Sequence, residues 1–301
     1  MNLKIYWRSS FVWLHFYCGI LLAQNYPDQH YVLRTDSINA NIEVNEGCKI
    51  SDDGKYFMLQ DDKINGYIIL KPQISELPFN QGLPSWNGTA PEANSSFKIL
   101  MRFPYNDGWS PWLMVGYWKN YIWFSNDPTN YDGGYVDIDY VKLYSYQSSW
   151  QFKVSFTRYS TDVKSSTIHK LSFFVSDSKT TSSVNITEIV NDNPPQIFIP
   201  TDFIYQYAVD PVIGGSICSP TSVSMILKSY DIEVNPYQFA VDTYDTYFEM
   251  FGIWPRVVQN ASEYGLDGAV TRYRNGAKLM KYLKMEDEFQ CLLVNLYIAV
   301  I

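Results

Sequence analysis

Alternation of apolar and polar residues recurs in short runs through the first half of the chain. Phe97-Lys98-Ile99-Leu100-Met101-Arg102-Phe103 puts Phe97, Ile99, Met101 and Phe103 on one face of an extended segment. Side chains alternate sides every second residue in a strand, so this pattern predicts a half-buried β-strand. Tyr135–Leu143 and Trp150–Phe156 alternate similarly, and Leu171, Phe173 and Val175 give another strand. Turn formers separate these runs, among them Asn106-Asp107-Gly108 and Asp132-Gly133-Gly134. Short strands at regular spacing predict an antiparallel β-sandwich over residues 24–180. Residues 181–200 turn to Ser, Thr, Asn and Pro and read as a stiff linker, with Asn193-Pro194-Pro195 resisting helix.

Beyond the linker the period changes. Pro220–Ser229, Pro236–Tyr244, Pro255–Tyr264 and Ala277–Lys284 read as helices, three of them opening on the proline that a first helical turn tolerates. The closing run Leu292–Ile301 is apolar and reads as one buried strand. The expected class is α+β: a sandwich followed by a helical layer with a core strand.

Lys4 and Arg8 precede an apolar run from Phe11 to Leu22, with Ala23 at its end. A charged start, a short apolar core and a small residue predict a signal peptide over residues 1–23, and hence a secreted or cell-surface protein. The run is too short for a stable membrane span. Composition narrows the partners. A net charge of −8 disfavours nucleic acid, because an acidic surface repels phosphates. Aromatic residues make up 17% of the 301 positions, which leaves a glycan or cell-wall ligand of the β-domain open. Trp109, Trp112, Trp118 and Trp123 either stack on sugars or fill the core. Asp137 and Asp139 share a strand face in this reading and, with Asp132, are considered for calcium, although a solvated polar face is the plainer account. Among the 4 cysteines no CxxC pair points to zinc, and neither metal nor cofactor is expected.

Gly214-Gly215-Ser216-Ile217-Cys218-Ser219-Pro220 delivers one cysteine to the start of an amphipathic helix. A thiol at that position feels the positive end of the helix dipole, which favours the nucleophilic thiolate. Cys218-Ser219-Pro220-Thr221-Ser222-Val223-Ser224-Met225 resembles the nucleophile segment of the family-39 cysteine peptidases and their secreted bacterial relatives, which are papain-like. Asp245, Tyr247, Phe251-Gly252-Ile253-Trp254-Pro255 and Tyr264-Gly265 agree with the same relatives, as do Leu83–Asn87 and Trp109–Trp112 upstream. The resemblance implies a bacterial enzyme acting on a peptide or protein substrate, with Cys218 as nucleophile and Gln206 helping to form the oxyanion hole. A papain-like site also needs a histidine and an Asp or Asn after the cysteine. Here His15, His30 and His169 all precede Cys218, and no Gly-His or Asn-Asp-Pro segment follows. The expectation is therefore a papain-like domain over 201–301 that is C-terminally truncated and impaired in hydrolysis, since His169 belongs to a strand of the other domain.

Overall fold

The computed structural model describes residues 28–119, 126–180 and 200–272, together with the backbone of 291–294 and 297–300. The expected signal peptide, the linker over 181–199, the helix over 277–284 and Trp123 lie outside the described residues.

Residues 28–176 form the antiparallel β-region. Its strands are β1 (Gln29–Arg34), β2 (Ile42–Glu46), β3 (Cys48–Ile50), β4 (Phe57–Leu59), β5 (Asn65–Leu70), β6 (Gln73–Thr89) and β7 (Ser95–Arg102). They continue with β8 (Pro104–Tyr105), β9 (Gly108–Trp109), β10 (Leu113–Trp118), β11 (Asn130–Tyr131), β12 (Gly134–Asp137), β13 (Tyr140–Arg158) and β14 (Thr167–Ser176). A short helix α1 (Thr35–Ala40) follows β1. All but the β8–β9 hairpin belong to one twelve-stranded sheet whose main path runs β10-β7-β13-β6-β14-β4-β3. The hydrogen bonding thus runs continuously through the region for which the alternation predicts a sandwich. The joint is the 19-residue β13. Its first part pairs with β12 and β6, and its second part, Gln151–Arg158, pairs with β7. Register shifts between Lys142 and Ser149 mark the changeover, since a bulge bends a strand and increases its twist.

One core fills the space so enclosed. Phe97, Ile99 and Met101 of β7, Phe152, Val154 and Phe156 of β13, and Leu171, Phe173 and Val175 of β14 are buried in it. Phe173 meets Trp150 at 5.2 Å and Phe79 at 5.7 Å between ring centroids. Each such ring stabilises the fold by roughly 1.5–3 kcal/mol through burial. The alternation read from the sequence is the inward face of these strands. Residues 135–143 are the exception: instead of one strand they form the β12–β13 hairpin, with Ile138 and Asp139 as its two-residue turn.

After residue 200 the described chain is helical: α2 (Gln206–Val209), a 3₁₀ turn at Gly214–Ser216, α3 (Cys218–Ser229), α4 (Pro236–Thr243) and α5 (Trp254–Glu263). Asn235 caps α4, its side-chain oxygen accepting the Gln238 amide at 3.1 Å, with Pro236 in the first turn. Val223, Leu227, Phe239, Val257 and Ala261 make a small core among the helices. Strands β15 (Ala269–Thr271), β16 (Cys291–Val294) and β17 (Tyr297–Val300) follow in a three-stranded antiparallel sheet. The terminal apolar run is therefore a pair of strands, not one, because β16 and β17 double back on each other. Strands and helices segregate along the chain, the arrangement of an α+β protein.

Helix α5 and β15 lie on the face of β6 and β14 that points away from the main core. Leu83 and Phe174 meet Val258 and Val270 there. Polar groups make up the rest of this contact. Ser85 Oγ accepts the Val270 amide at 3.0 Å, and Asn87 Oδ1 accepts the Gly268 amide at 3.2 Å. The Gln259 side chain donates to the Gly88 carbonyl at 2.8 Å. One Glu263 oxygen accepts both the Ala90 amide at 2.8 Å and the Trp118 indole N–H at 2.6 Å. Trp118 is thereby a core residue of the β-region.

Candidate active site

Cys218 is the first residue of α3 and is exposed. Its delivery depends on Gly214 in the loop before it. A Cβ on Gly214 would stand 2.9 Å from both Cα and Cδ1 of Tyr207, so only glycine fits this close approach. Ile217 is buried and anchors the loop, after which Cys218 turns outward. Ser222 Oγ donates to the Cys218 carbonyl at 2.9 Å, and Ser224 Oγ donates to the Pro220 carbonyl at 2.9 Å. Pro220 has no N–H to satisfy, so the first turn of α3 has one fewer unpaired backbone donor. The Cys218 sulfur lies 3.9 Å from Ser219 Oγ.

Gln206 opens α2, and its side-chain amide donates to the Gly214 carbonyl at 2.6 Å. The structure therefore ties the expected oxyanion residue to the loop that ends in Cys218. One N–H of the amide holds the loop, and a primary amide has a second. Phe203, Tyr205 and Tyr207 stand exposed around it.

His169 does not approach this loop through any described hydrogen bond. It sits where the β14–β6 register shifts between Ile168 and Lys170, and such a shift re-aims side chains. Its Nε2 meets Asp267 Oδ1 at 2.5 Å, and Arg34 Nη1 meets the other oxygen of Asp267 at 3.0 Å. The Tyr56 ring stands edge-on to the imidazole at 5.4 Å. Burial would raise the Asp267 carboxyl, but the bond and charge of His169, with Lys170 and Arg34 nearby, hold it at about 2. Lys170 is itself buried, which pushes its ammonium down to about 8. No sequence signal marks this His–Asp pair, because its members lie 98 residues apart in unrelated patterns.

Residues 198–293 match the model of the Peptidase_C39 like family. The C-terminal, C39-like segment is thus similar to that family. No curated protein matches the chain.

Within the C39-like segment, the residues from Asp245 to Pro255 build a brace rather than a second chemical centre. Asp245 is buried, and its Oδ1 accepts the Tyr247 and Phe248 amides at 2.8 and 3.0 Å. Its other oxygen lies 3.7 Å from Arg256 Nε. The buried Arg256 guanidinium donates to the Thr243, Tyr244 and Tyr117 carbonyls at 3.1, 3.0 and 2.9 Å. It also stacks on the Tyr117 and Trp118 rings at 4.7 and 5.1 Å. The C39-like segment is thus locked to β10 through one arginine. Gly252, with φ of +75°, then turns the chain beside the start of α3.

The acidic residues considered for calcium are used otherwise. Asp137 is ion-paired with Lys142. Asp139 sits at the hairpin tip, where burial pushes its carboxyl up to about 6. Among the described residues no group of three His, Cys, Asp or Glu side chains is placed to hold a metal.

Proposed function

We propose that Cys218 is the nucleophile of a papain-like cysteine peptidase site that cleaves peptide bonds. The observation that carries this reading is an exposed cysteine as the first residue of a 12-residue helix, inside the family-matched segment. The thiolate sulfur attacks the scissile carbonyl carbon, forming a C–S bond and a tetrahedral oxyanion. The Cys218 amide and the spare N–H of Gln206 are the donors proposed for that oxygen. Collapse breaks the C–N bond as the amine takes a proton from solvent water; a second water then attacks the thioester carbonyl and the C–S bond breaks, releasing the acid and the Cys218 thiol. The exposed Phe203, Tyr205 and Tyr207 supply apolar contact for the substrate's side chains.

Proton delivery is the weak step. The chain has no histidine after Cys218; His30 lies on β1 and His169 on Asp267. General acid–base help contributes about 10²–10⁴-fold, so hydrolysis by this chain is slow while thiol reactivity survives. Peptide hydrolysis by the wild type and by Cys218→Ser tests the reading. Weak turnover that vanishes in the variant supports it; robust turnover removes the claim of impairment, and turnover untouched by the variant removes Cys218. Two packed halves of the β-region as a sandwich, export through residues 1–23 and a bacterial cell-surface location belong to the same proposal.

A second reading rests on the outer face of the β-region. Trp109 and Trp112, both half-buried, stand 5.0 and 4.4 Å from the Arg102 guanidinium, and Lys153 lies 4.2 Å from the Tyr67 ring. Rings and cations alternating in this way suit a glycan or cell-wall ligand, through stacking and hydroxyl contacts. Sedimentation of the full chain with peptidoglycan, reduced by Trp109→Ala and Trp112→Ala, supports it; undiminished sedimentation of both variants overturns it.

A further inference from the structure

We infer that the groove between α2 and the start of α4 takes a basic residue of the peptide that Cys218 attacks, with Glu233 as its ionic partner. The inference rests on the peptidase reading of Cys218.

The groove begins beside the residue that holds the nucleophile loop. Gln206 opens α2 and donates to the Gly214 carbonyl at 2.6 Å. Val209, at the other end of that four-residue helix, lines the groove. A helix rises about 1.5 Å per residue, so the two positions lie roughly 5 Å apart along it. The turn between α3 and α4 and the end of α5 supply Glu233, Val234, Pro236, Tyr237 and Tyr264 to the same groove. Its volume of about 670 Å³ is that of a ligand site, not of a packing gap. Val234 is buried in the core among the helices, and the Tyr264 ring stands 5.7 Å from that of Phe239. These walls are therefore fixed by the scaffold before any ligand arrives.

Charge decides what the groove takes. Glu233 is exposed and, among the described residues, has neither an ion pair nor a hydrogen bond. Residues 200–272 carry nine acidic side chains against three basic ones. Arg256 is buried and Arg272 pairs with Asp28, which leaves Lys228 as the basic side chain not so committed. The positive end of α4 opens on the groove through Pro236 and Tyr237, but Asn235 caps it by accepting the Gln238 amide at 3.1 Å. Even an uncapped helix end carries only about half a charge, less than the full one of Glu233. A groove so lined favours a cation and repels an acidic side chain. Lysine and arginine fit it in both parts: the methylene stem lies on Val209 and Val234, and the head meets the tyrosine rings and the carboxylate.

The test uses the full chain and nine-residue peptides of alanine and glycine around one leucine, blocked at both ends, with lysine or glutamate placed at each position in turn. The readout is the peptide concentration that halves the rate of iodoacetamide alkylation at Cys218, followed by mass spectrometry. At one position lysine is expected to protect at about fivefold lower concentration than glutamate, the scale of one exposed ion pair. The preference should vanish in Glu233→Gln and reverse in Glu233→Lys; the side chain is exposed and unbonded, so both variants keep the fold. It should persist in Asp107→Asn, which removes an exposed carboxylate from the β8–β9 turn, and shrink in 1 M salt, where screening acts beyond about 3 Å. A lysine preference that survives Glu233→Gln, or that Asp107→Asn abolishes equally, overturns the inference. Equal protection by lysine and glutamate peptides defeats this inference alone; no protection by any of them defeats the peptidase reading with it.

Discussion

The contact between the β-region and α5 is held by many partners, and the start of α3 by few. At the contact, Asn87, Glu263, Arg256 and Asp267 each bond groups from distant parts of the chain. At the start of α3, Cys218 stands exposed, its sulfur 3.9 Å from its neighbour's hydroxyl, above a loop that Gln206 keeps in place. The same residue chemistry thus serves two ends. Where polar groups are buried and answered by one another they fix geometry, because leaving one unanswered is costly. Where the scaffold is fixed and one reactive side chain is left open, chemistry becomes available. The His169–Asp267 pair makes the point sharply. By composition it is two members of a catalytic triad, yet its place at the contact makes it a clamp.

The comparison predicts a graded series. Arg256→Ala should have the largest effect on stability. It takes one donor group from three buried carbonyls and leaves Asp245 buried without its cation, a loss of about 3–5 kcal/mol in chemical denaturation. Glu263→Ala should come next at about 1–3 kcal/mol by the same measurement, since the Ala90 amide and the Trp118 indole lose one shared acceptor. Asp267→Asn should act through pH. The native carboxyl lies at about 2, below its ordinary 3.8, so its stabilising contribution is complete above the ordinary value and is lost as pH falls through the native one. Melting temperature followed down through that window should drop more steeply in the wild type than in the variant. Cys218→Ser should be smallest, within about 0.5 kcal/mol in denaturation, because the side chain is exposed and supports nothing. A large loss there would mean that Cys218 belongs to the packing.

The inward faces of the strands were legible from alternation alone: Phe97, Ile99 and Met101, and Leu171, Phe173 and Val175, are core residues. The opposite face of β14 was not. Lys170 and Ser172 alternate with those apolar positions and yet are buried, and polarity does not announce a partner layer. Residues 135–143 deceived for another reason. Their alternation continues through a turn made by Ile138, a residue type that gives no turn signal. Cys218 and Gln206 were legible because a glycine loop and a helix start are local patterns, and the structure joins them through Gly214. The His169–Asp267 pair was not, since it depends on packing between segments far apart in the chain.

Cys48 supplies an internal contrast for the central claim. It is buried, donates to the Glu46 carbonyl at 3.5 Å, and burial pushes its thiol up to about 12. Exposure of the full chain to a peptidyl chloromethyl ketone, followed by mapping of the adduct, sets this inert thiol against Cys218. The account predicts a covalent adduct on Cys218 with Cys48 unlabelled, and its loss in Cys218→Ser. Undiminished labelling of Cys218→Ser, or a reagent lacking the peptide that labels Cys218 equally fast, would contradict it.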